Sequence, residues 1–395
     1  MIAEKMKTLV AGSSVIRAMF EEGKKMAAEV GADNVFDFSL GNPVTPAPAK
    51  VAESIGEILQ TKDSMEIHGY MSNSGYPEVR AKIASSLNER FGLDLNEEAI
   101  VMTVGAAGGL NVILKTLLNP GDEVLTVSPY FGEYRSYVAN YDGVLVEVPA
   151  AAETFMPDVA LIEKAVTPKT KAMIINSPNN PTGVVYPEET IRELTSMLER
   201  KEKELGTSIY LISDEPYREL AYDGIEVPYL TKYYHNAIVG YSFSKSLSLP
   251  GERIGYLVLP SSLDGADDIR AAANVATRIL GFVNAPSLMQ LAVAECLDEK
   301  TDIEFYDRNR RALTKGLSEA GYTFTNPDGA FYLWMKAPGG DDKAFAAAAK
   351  KYHILIVPGS SFGYPGYVRI AYCVSEKTIA GSMAGFKELA KEYSL

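Results

Sequence analysis

Two cysteines and three histidines in 395 residues leave little scope for sulfur or imidazole chemistry. Cys296 and Cys373 have no CxxC partner, which argues against a disulfide or zinc framework and reads as two small core residues. His68, His235 and His353 are scattered without ligand-like spacing, which argues against a histidine metal site or a catalytic triad. No run approaches the roughly 18 apolar residues that span a bilayer. The apolar stretch 9–16 is broken by Gly12, Ser13 and Ser14, so it makes a poor signal peptide. A soluble, cytoplasmic protein is expected. Basic residues are scarce too, 38 against 51 acidic, for a net charge of −13. That balance argues against nucleic acid or an anionic membrane as partner, and otherwise serves solubility.

Apolar residues are plentiful at 47%, enough for a large core, and the length suggests two or three domains. From residue 100, strand-like runs alternate with helical ones. Strands are expected at 100–104, 123–127, 144–148, 172–176, 209–213, 237–242 and 254–259. Helices are expected at 105–118 and at 187–205, the latter opened by Pro187. Such alternation predicts an α/β fold, a mainly parallel seven-stranded sheet with helices on both faces. The pattern then changes. A long helical stretch 286–320 breaks near 298–301, short strands follow at 331–335, 353–357 and 367–372, and a helix closes the chain from Glu376. This reads as a smaller α+β domain. Residues 1–44 are too short for a domain of their own. The expected division is therefore 45–285 for the large domain, with 1–44 and 286–395 together forming the small one.

The unusual residues fall just after the expected strands. Gly105, Phe131, Asn180, Asp214 and Lys245 each follow one, and Ser242 ends one. In a parallel sheet all of them gather at the carboxyl edge, where open α/β sheets bind ligands. Lys245, in SFSKSLSLPGERIGY, offers an amine that can form a Schiff base once it is uncharged. Ser242 and Arg253 flank it with a hydroxyl and a planar donor fork suited to phosphate. Asp214, in LISDEPY, ends a buried strand and needs a positive partner. Asn180, in NSPNNPTG, sits in a turn that presents its side chain. The loop from Gly105 to Gly109 precedes a helix and can expose amides to an anion. It lacks the Gly-Lys-Ser/Thr of a nucleotide P-loop, which excludes that class. Singly, each has a plainer reading: a surface lysine, a helix cap or salt bridge, a bare turn, close helix packing. Their convergence at one edge is the stronger signal.

Together, NSPNNPTG, SDEPY and SFSK…R in this order resemble the fold-type I aminotransferases, specifically the class I/II aspartate and aromatic group, over nearly the whole chain. The resemblance implies pyridoxal 5′-phosphate as cofactor, with Lys245 its Schiff-base lysine and Asp214 the partner of its pyridine nitrogen. It implies that Tyr217 and Asn180 bind the phenolic oxygen. Ser242, Arg253 and the amides of the Gly105, Ala106 and Ala107 loop would form the phosphate cup. Phe131 would stack on the ring. Arg369, in YVRIAY, and Gly41, in LGNP, would hold the substrate carboxylate beside Asn180. Tyr70, in YMSNSG, would reach the phosphate of a partner subunit, which implies a homodimer.

The activity so implied is ping-pong transfer of an amino group between an L-amino acid and a 2-oxo acid, with Lys245, Asp214 and Tyr217 as the catalytic set. Aspartate, an aromatic amino acid or alanine is the expected donor. One departure bears on that choice. Position 107 is alanine, whereas some aspartate-specific relatives carry a lysine there for the second carboxylate. Arg17 and Arg278 are candidate substitutes. Three rivals remain: a C–S lyase of the same fold, a cofactor-binding transcription regulator, and a non-catalytic binding module. About 44 residues before the sheet leave little room for the DNA-binding domain of a regulator. A module would leave the joint placement of Lys245, Asp214, Arg253 and Arg369 unexplained.

Overall fold

The computed structural model describes residues 2–11 and 15–395. Aliphatic runs bounded by turn residues become its strands. In chain order these are β1 (Phe36–Asp37), β2 (Ile100–Thr103), β3 (Glu123–Ser128), β4 (Val144–Pro149), β5 (Thr170–Asn176), β6 (Tyr210–Asp214), β7 (Ala237–Ser242), β8 (Gly255–Val258), β9 (Phe324–Thr325), β10 (Tyr332–Lys336), β11 (Ile354–Leu355), β12 (Val357–Pro358) and β13 (Tyr367–Ala371). β2 to β8 form one sheet in the order β2-β8-β7-β6-β5-β3-β4. The central strands are apolar on both faces because helices cover both. β6 and β7 are buried throughout, whereas β4, which carries Glu147 and Pro149, is the exposed edge.

The sheet is an α/β sheet of the expected kind, with one strand reversed. β3 to β7 pair in parallel, and β8 runs antiparallel to both β7 and β2. The reversal puts the start of β8, not its end, at the carboxyl edge of its neighbours. Ser242 lies directly opposite Gly255, and Gly255 opposite Thr103. Gly255 allows this approach: a Cβ there would stand 2.3 Å from the Tyr241 carbonyl oxygen and 3.1 Å from Gly105 Cα.

The helices follow from amphipathic spacing. In Glu188–Leu205 the residues Ile191, Leu194, Thr195, Met197 and Leu198 face the core. Two glutamates occupy its first turn, where they suit the helix dipole, and Gly206 closes it at φ 65°. Helices Ala49–Thr61, Pro77–Phe91 and Ser287–Ala294 pack with β2 and β8 in one apolar cluster. The last of these lies beyond the expected boundary at 285, yet its buried residues join the large sheet.

The C-terminal part holds an antiparallel sheet, β12-β13-β10-β9, with Arg369 opposite Trp334. β1 pairs in parallel with β11, tying the N-terminal segment to this part. Among the described residues no helix is long and apolar enough to cross a membrane.

Candidate active site

A cavity of about 280 Å³ opens at the carboxyl edge of the large sheet. All of the expected site residues except Gly105 and Tyr70 line it. Gly105 lies next to Ala106 and Ala107 of the lining. It starts the helix Gly105–Leu117 at φ 76°, and a Cβ there would lie 2.8 Å from Arg253 Nη2. It makes room for Arg253 and does not face the cavity. Tyr70 is 94% exposed and lies outside the cavity of its own chain.

Asp214 ends β6 and is only 5% exposed. Its Oδ2 accepts a 2.6 Å hydrogen bond from Tyr134, whereas Oδ1 is buried with no partner. Burial pushes the carboxyl up to about 7, with the Tyr134 hydrogen bond working the other way. A carboxylate at that depth calls for a positive donor.

Lys245 follows β7 in the short helix Phe243–Ser246. Its Nζ donates to the Gly41 carbonyl at 2.7 Å and lies 5.5 Å from the Phe331 ring centroid. Burial drives the amine down to about 8; Cys373 opposes the fall and Arg253 and Arg369 add to it. A larger share of the amine is therefore neutral, and nucleophilic, near physiological pH.

One wall is built for an anion. Ala106 and Ala107 occupy the first turn of their helix, where amides lack intrahelical partners. Ser242 and Ser244 bring hydroxyls 2.7 Å apart. Arg253 donates to the Pro250 carbonyl and also lines the cavity.

Elsewhere in the lining, Arg369 on β13 is 2% exposed. It donates to Asn180 Oδ1 at 3.0 Å and to the Ser39 carbonyl, and its Nε has no partner. Tyr332 and Phe362 place their rings 4.5 and 4.8 Å from the guanidinium. A buried cation with only neutral partners is suited to a ligand carboxylate. Asn176 pins the Asn180 turn, accepting from its amide at 2.7 Å and donating to the Asp214 carbonyl. Phe131 lines the cavity with its ring edge-on to Tyr134.

The model of the family Aminotransferase class I and II matches residues 33–382. The chain belongs to this family. The aminotransferase is 33% identical to a probable aspartate/prephenate aminotransferase of Thermus aquaticus, over 81% of this chain and 83% of that protein. It is 30% identical to aromatic-amino-acid aminotransferase 2 of Thermococcus litoralis, over 97% of each. The crystal structure of an aminotransferase from Eubacterium rectale superposes with a TM-score of 0.97 at 47% identity, covering 100% of this chain and 99% of that one.

Aminotransferases of this fold use pyridoxal phosphate, and the cavity fits it. An orphaned buried carboxylate oxygen suits a protonated ring nitrogen, free helix amides with hydroxyls and a guanidinium suit a phosphate, and a partly neutral lysine suits an aldehyde.

Sequence reasoning missed Tyr134, Ser244 and Tyr332. Ser244 lies within the SFSK segment, and Tyr134 is one helical turn after Phe131. Tyr332 shows in the sequence only as one more tyrosine in a buried strand. Histidine spacing also hid a grouping. His235 meets Glu202 and Asp264, with ligand atoms within 4.8 Å of one another, at the opposite edge of the sheet.

Proposed function

We propose that Lys245 holds the cofactor covalently and that Arg369 binds the carboxylate of each amino and oxo acid in turn. Bound pyridoxal phosphate supplies an aldehyde that captures amino groups and a ring that accepts electrons from the substrate's α-carbon. Asp214 Oδ1 accepts from the ring nitrogen and keeps it protonated. Tyr217 and Asn180 would bind the ring oxygen, Phe131 would stack on the ring, and Ser242, Arg253 and the amides of Ala106 and Ala107 would hold the phosphate. Lys245 Nζ, when not bound to the cofactor, would take the substrate's α-proton and later return it, as base and then as acid. Arg369 fixes the carboxylate and so chooses which α-bond faces the ring, and the backbone of Gly41 meets the same carboxylate. The observation that carries this reading is the pair of orphaned buried atoms in one cavity, Asp214 Oδ1 and Arg369 Nε.

Among the described residues, the cations lining the cavity are Lys245, Arg253 and Arg369, and each already has a task. Arg278 is exposed on the helix Ala266–Ile279, and the side chain of Arg17 lies outside the described residues. The rest of the lining includes Leu40, Leu110, Phe131, Tyr137 and Tyr332. This supports an aromatic amino acid or alanine as donor ahead of aspartate, with a 2-oxo acid as acceptor. Tyr70, exposed in one subunit, would complete the phosphate site of a second in a cytoplasmic homodimer.

The test is a visible spectrum of the purified protein. A yellow band should bleach with single amino acids and return on adding an oxo acid, the faster bleaching naming the donor. Absence of a band after adding pyridoxal phosphate would overturn the assignment of Lys245. Faster bleaching by aspartate than by phenylalanine, tyrosine or alanine would overturn the order of donors.

A further inference from the structure

The hydroxyls of Tyr217 and Tyr332 lie 2.8 Å apart, and both residues line the cavity. Both side chains are buried, with rings edge to face at 5.5 Å. A tyrosine hydroxyl carries one proton and can both donate and accept. In such a pair only one member donates to the other. If Tyr217 gives its proton to a ligand oxygen, its link to Tyr332 survives only when Tyr332 donates to Tyr217.

The surroundings hold Tyr332 in place for that role. It begins β10, opposite Ala371, and the Arg369 guanidinium lies 4.5 Å from its ring. Gly41 makes space for the hydroxyl, since a Cβ there would fall 1.9 Å from Tyr332 Oη. Burial raises the Tyr332 hydroxyl to about 12, and the nearby Arg369 works against that rise, which favours Tyr332 as a donor.

We infer that Tyr332 is a positioning residue: its hydroxyl donates to Tyr217 and thereby turns the Tyr217 proton toward the ring oxygen of the cofactor. The relay Tyr332 to Tyr217 to ligand is polarised head to tail, so each hydrogen bond strengthens the next. The inference rests on the reading above, in which Lys245 binds the cofactor and Tyr217 faces its ring oxygen. Tyr332→Phe isolates the effect, because phenylalanine keeps the ring against Arg369 and removes only the hydroxyl.

The experiment titrates the visible band of the lysine-bound cofactor against pH in the holoenzyme. It reports the proton shared by the Lys245 nitrogen and the ring oxygen. Losing a hydrogen bond makes that oxygen hold the proton more tightly, so the midpoint rises. Tyr217→Phe should raise it by about 1–2 units, the size of one hydrogen bond to a charged oxygen. Tyr332→Phe should raise it by about 0.3 unit or more, the smaller effect of an indirect donor. The double variant should match Tyr217→Phe alone, because Tyr332 acts through Tyr217. An unchanged midpoint in Tyr332→Phe beside a shifted one in Tyr217→Phe would reduce Tyr332 to packing, and additive shifts would do the same. An unchanged midpoint in Tyr217→Phe would instead remove the reading beneath the inference.

Discussion

Tyr134 donates to one oxygen of Asp214 and leaves the other, equally buried, without a partner. The carboxyl is thus aligned before any ligand arrives, with one acceptor position kept free. Without a positive partner it is poorly placed to ionise, and burial raises it from 3.8 to about 7.

That shift gives the ligand-free protein a defined pH dependence. Between about pH 4 and pH 7 the native carboxyl keeps a proton that the unfolded chain has already lost. Its contribution is fully present below about pH 4 and is lost as pH rises through about 7, by up to about 4 kcal/mol at 1.36 kcal/mol per unit. Thermal unfolding of cofactor-free wild type and Asp214→Asn should diverge over that window, with the asparagine variant the more stable at pH 8. Saturation with pyridoxal phosphate should narrow or reverse the gap. Parallel curves across the window would mean that Asp214 is already paired.

Among the described residues, Lys245 is the only amine in the cavity lining, and alanine removes it. Turnover should fall by at least about 10⁴-fold, the upper range for loss of a general acid–base group. Cofactor should still bind, but borohydride should no longer fix it to the protein. Near-native turnover would defeat the assignment.

Arg369→Lys keeps the charge and loses the planar fork. The specificity constant kcat/KM for amino acids should drop about 10- to 150-fold, as for a charge-assisted hydrogen bond worth about 1.5–3 kcal/mol. KM should carry much of the change. A loss equal for an amine lacking the carboxylate would show that Arg369 serves the fold and not the substrate.

Gly105→Ala places a methyl 2.8 Å from Arg253 at a left-handed φ of 76°. Two costs combine, backbone strain of about 1–3 kcal/mol and displacement of the guanidinium. Cofactor affinity should fall about 10-fold or more at 1.4 kcal/mol per decade, while Gly121→Ala, also at positive φ but with open space around it, should leave affinity unchanged. Equal affinities in the two variants would disconnect Gly105 from the anion wall.

Much of this arrangement is legible in the sequence. Strand periodicity located all of the large sheet's strands, because buried aliphatic runs between turn residues have few other uses. Placing Asn180, Asp214 and Lys245 at one edge needs only strand ends and parallel pairing. The reversal of β8 was hidden, since Ile254 to Leu259 read as equally apolar in either direction. Helices before residue 100, such as Ala49–Thr61 and Pro77–Phe91, have no counterpart in the sequence reading, although Pro77 and Gly92 bracket the second with a start and a stop signal. Tyr134 and Tyr332 acquire their roles from partners 80 and 115 residues away, a distance that local pattern does not carry. Tyr70 stands 94% exposed, and the role proposed for it in a second subunit lies beyond what a single chain displays.

The reversed strand has a consequence for motion. Ser242 and Gly255 pair directly, so the segment between them leaves the sheet and returns to the same point. Lys245 and Arg253 both ride on this closed excursion, the size of an Ω-loop. On the proposed reading, the covalent and ionic anchors of the cofactor therefore belong to a single unit of local opening. Grip on the cofactor is gained or lost as a whole, and amide exchange in this segment should slow in one concerted step when the cofactor binds.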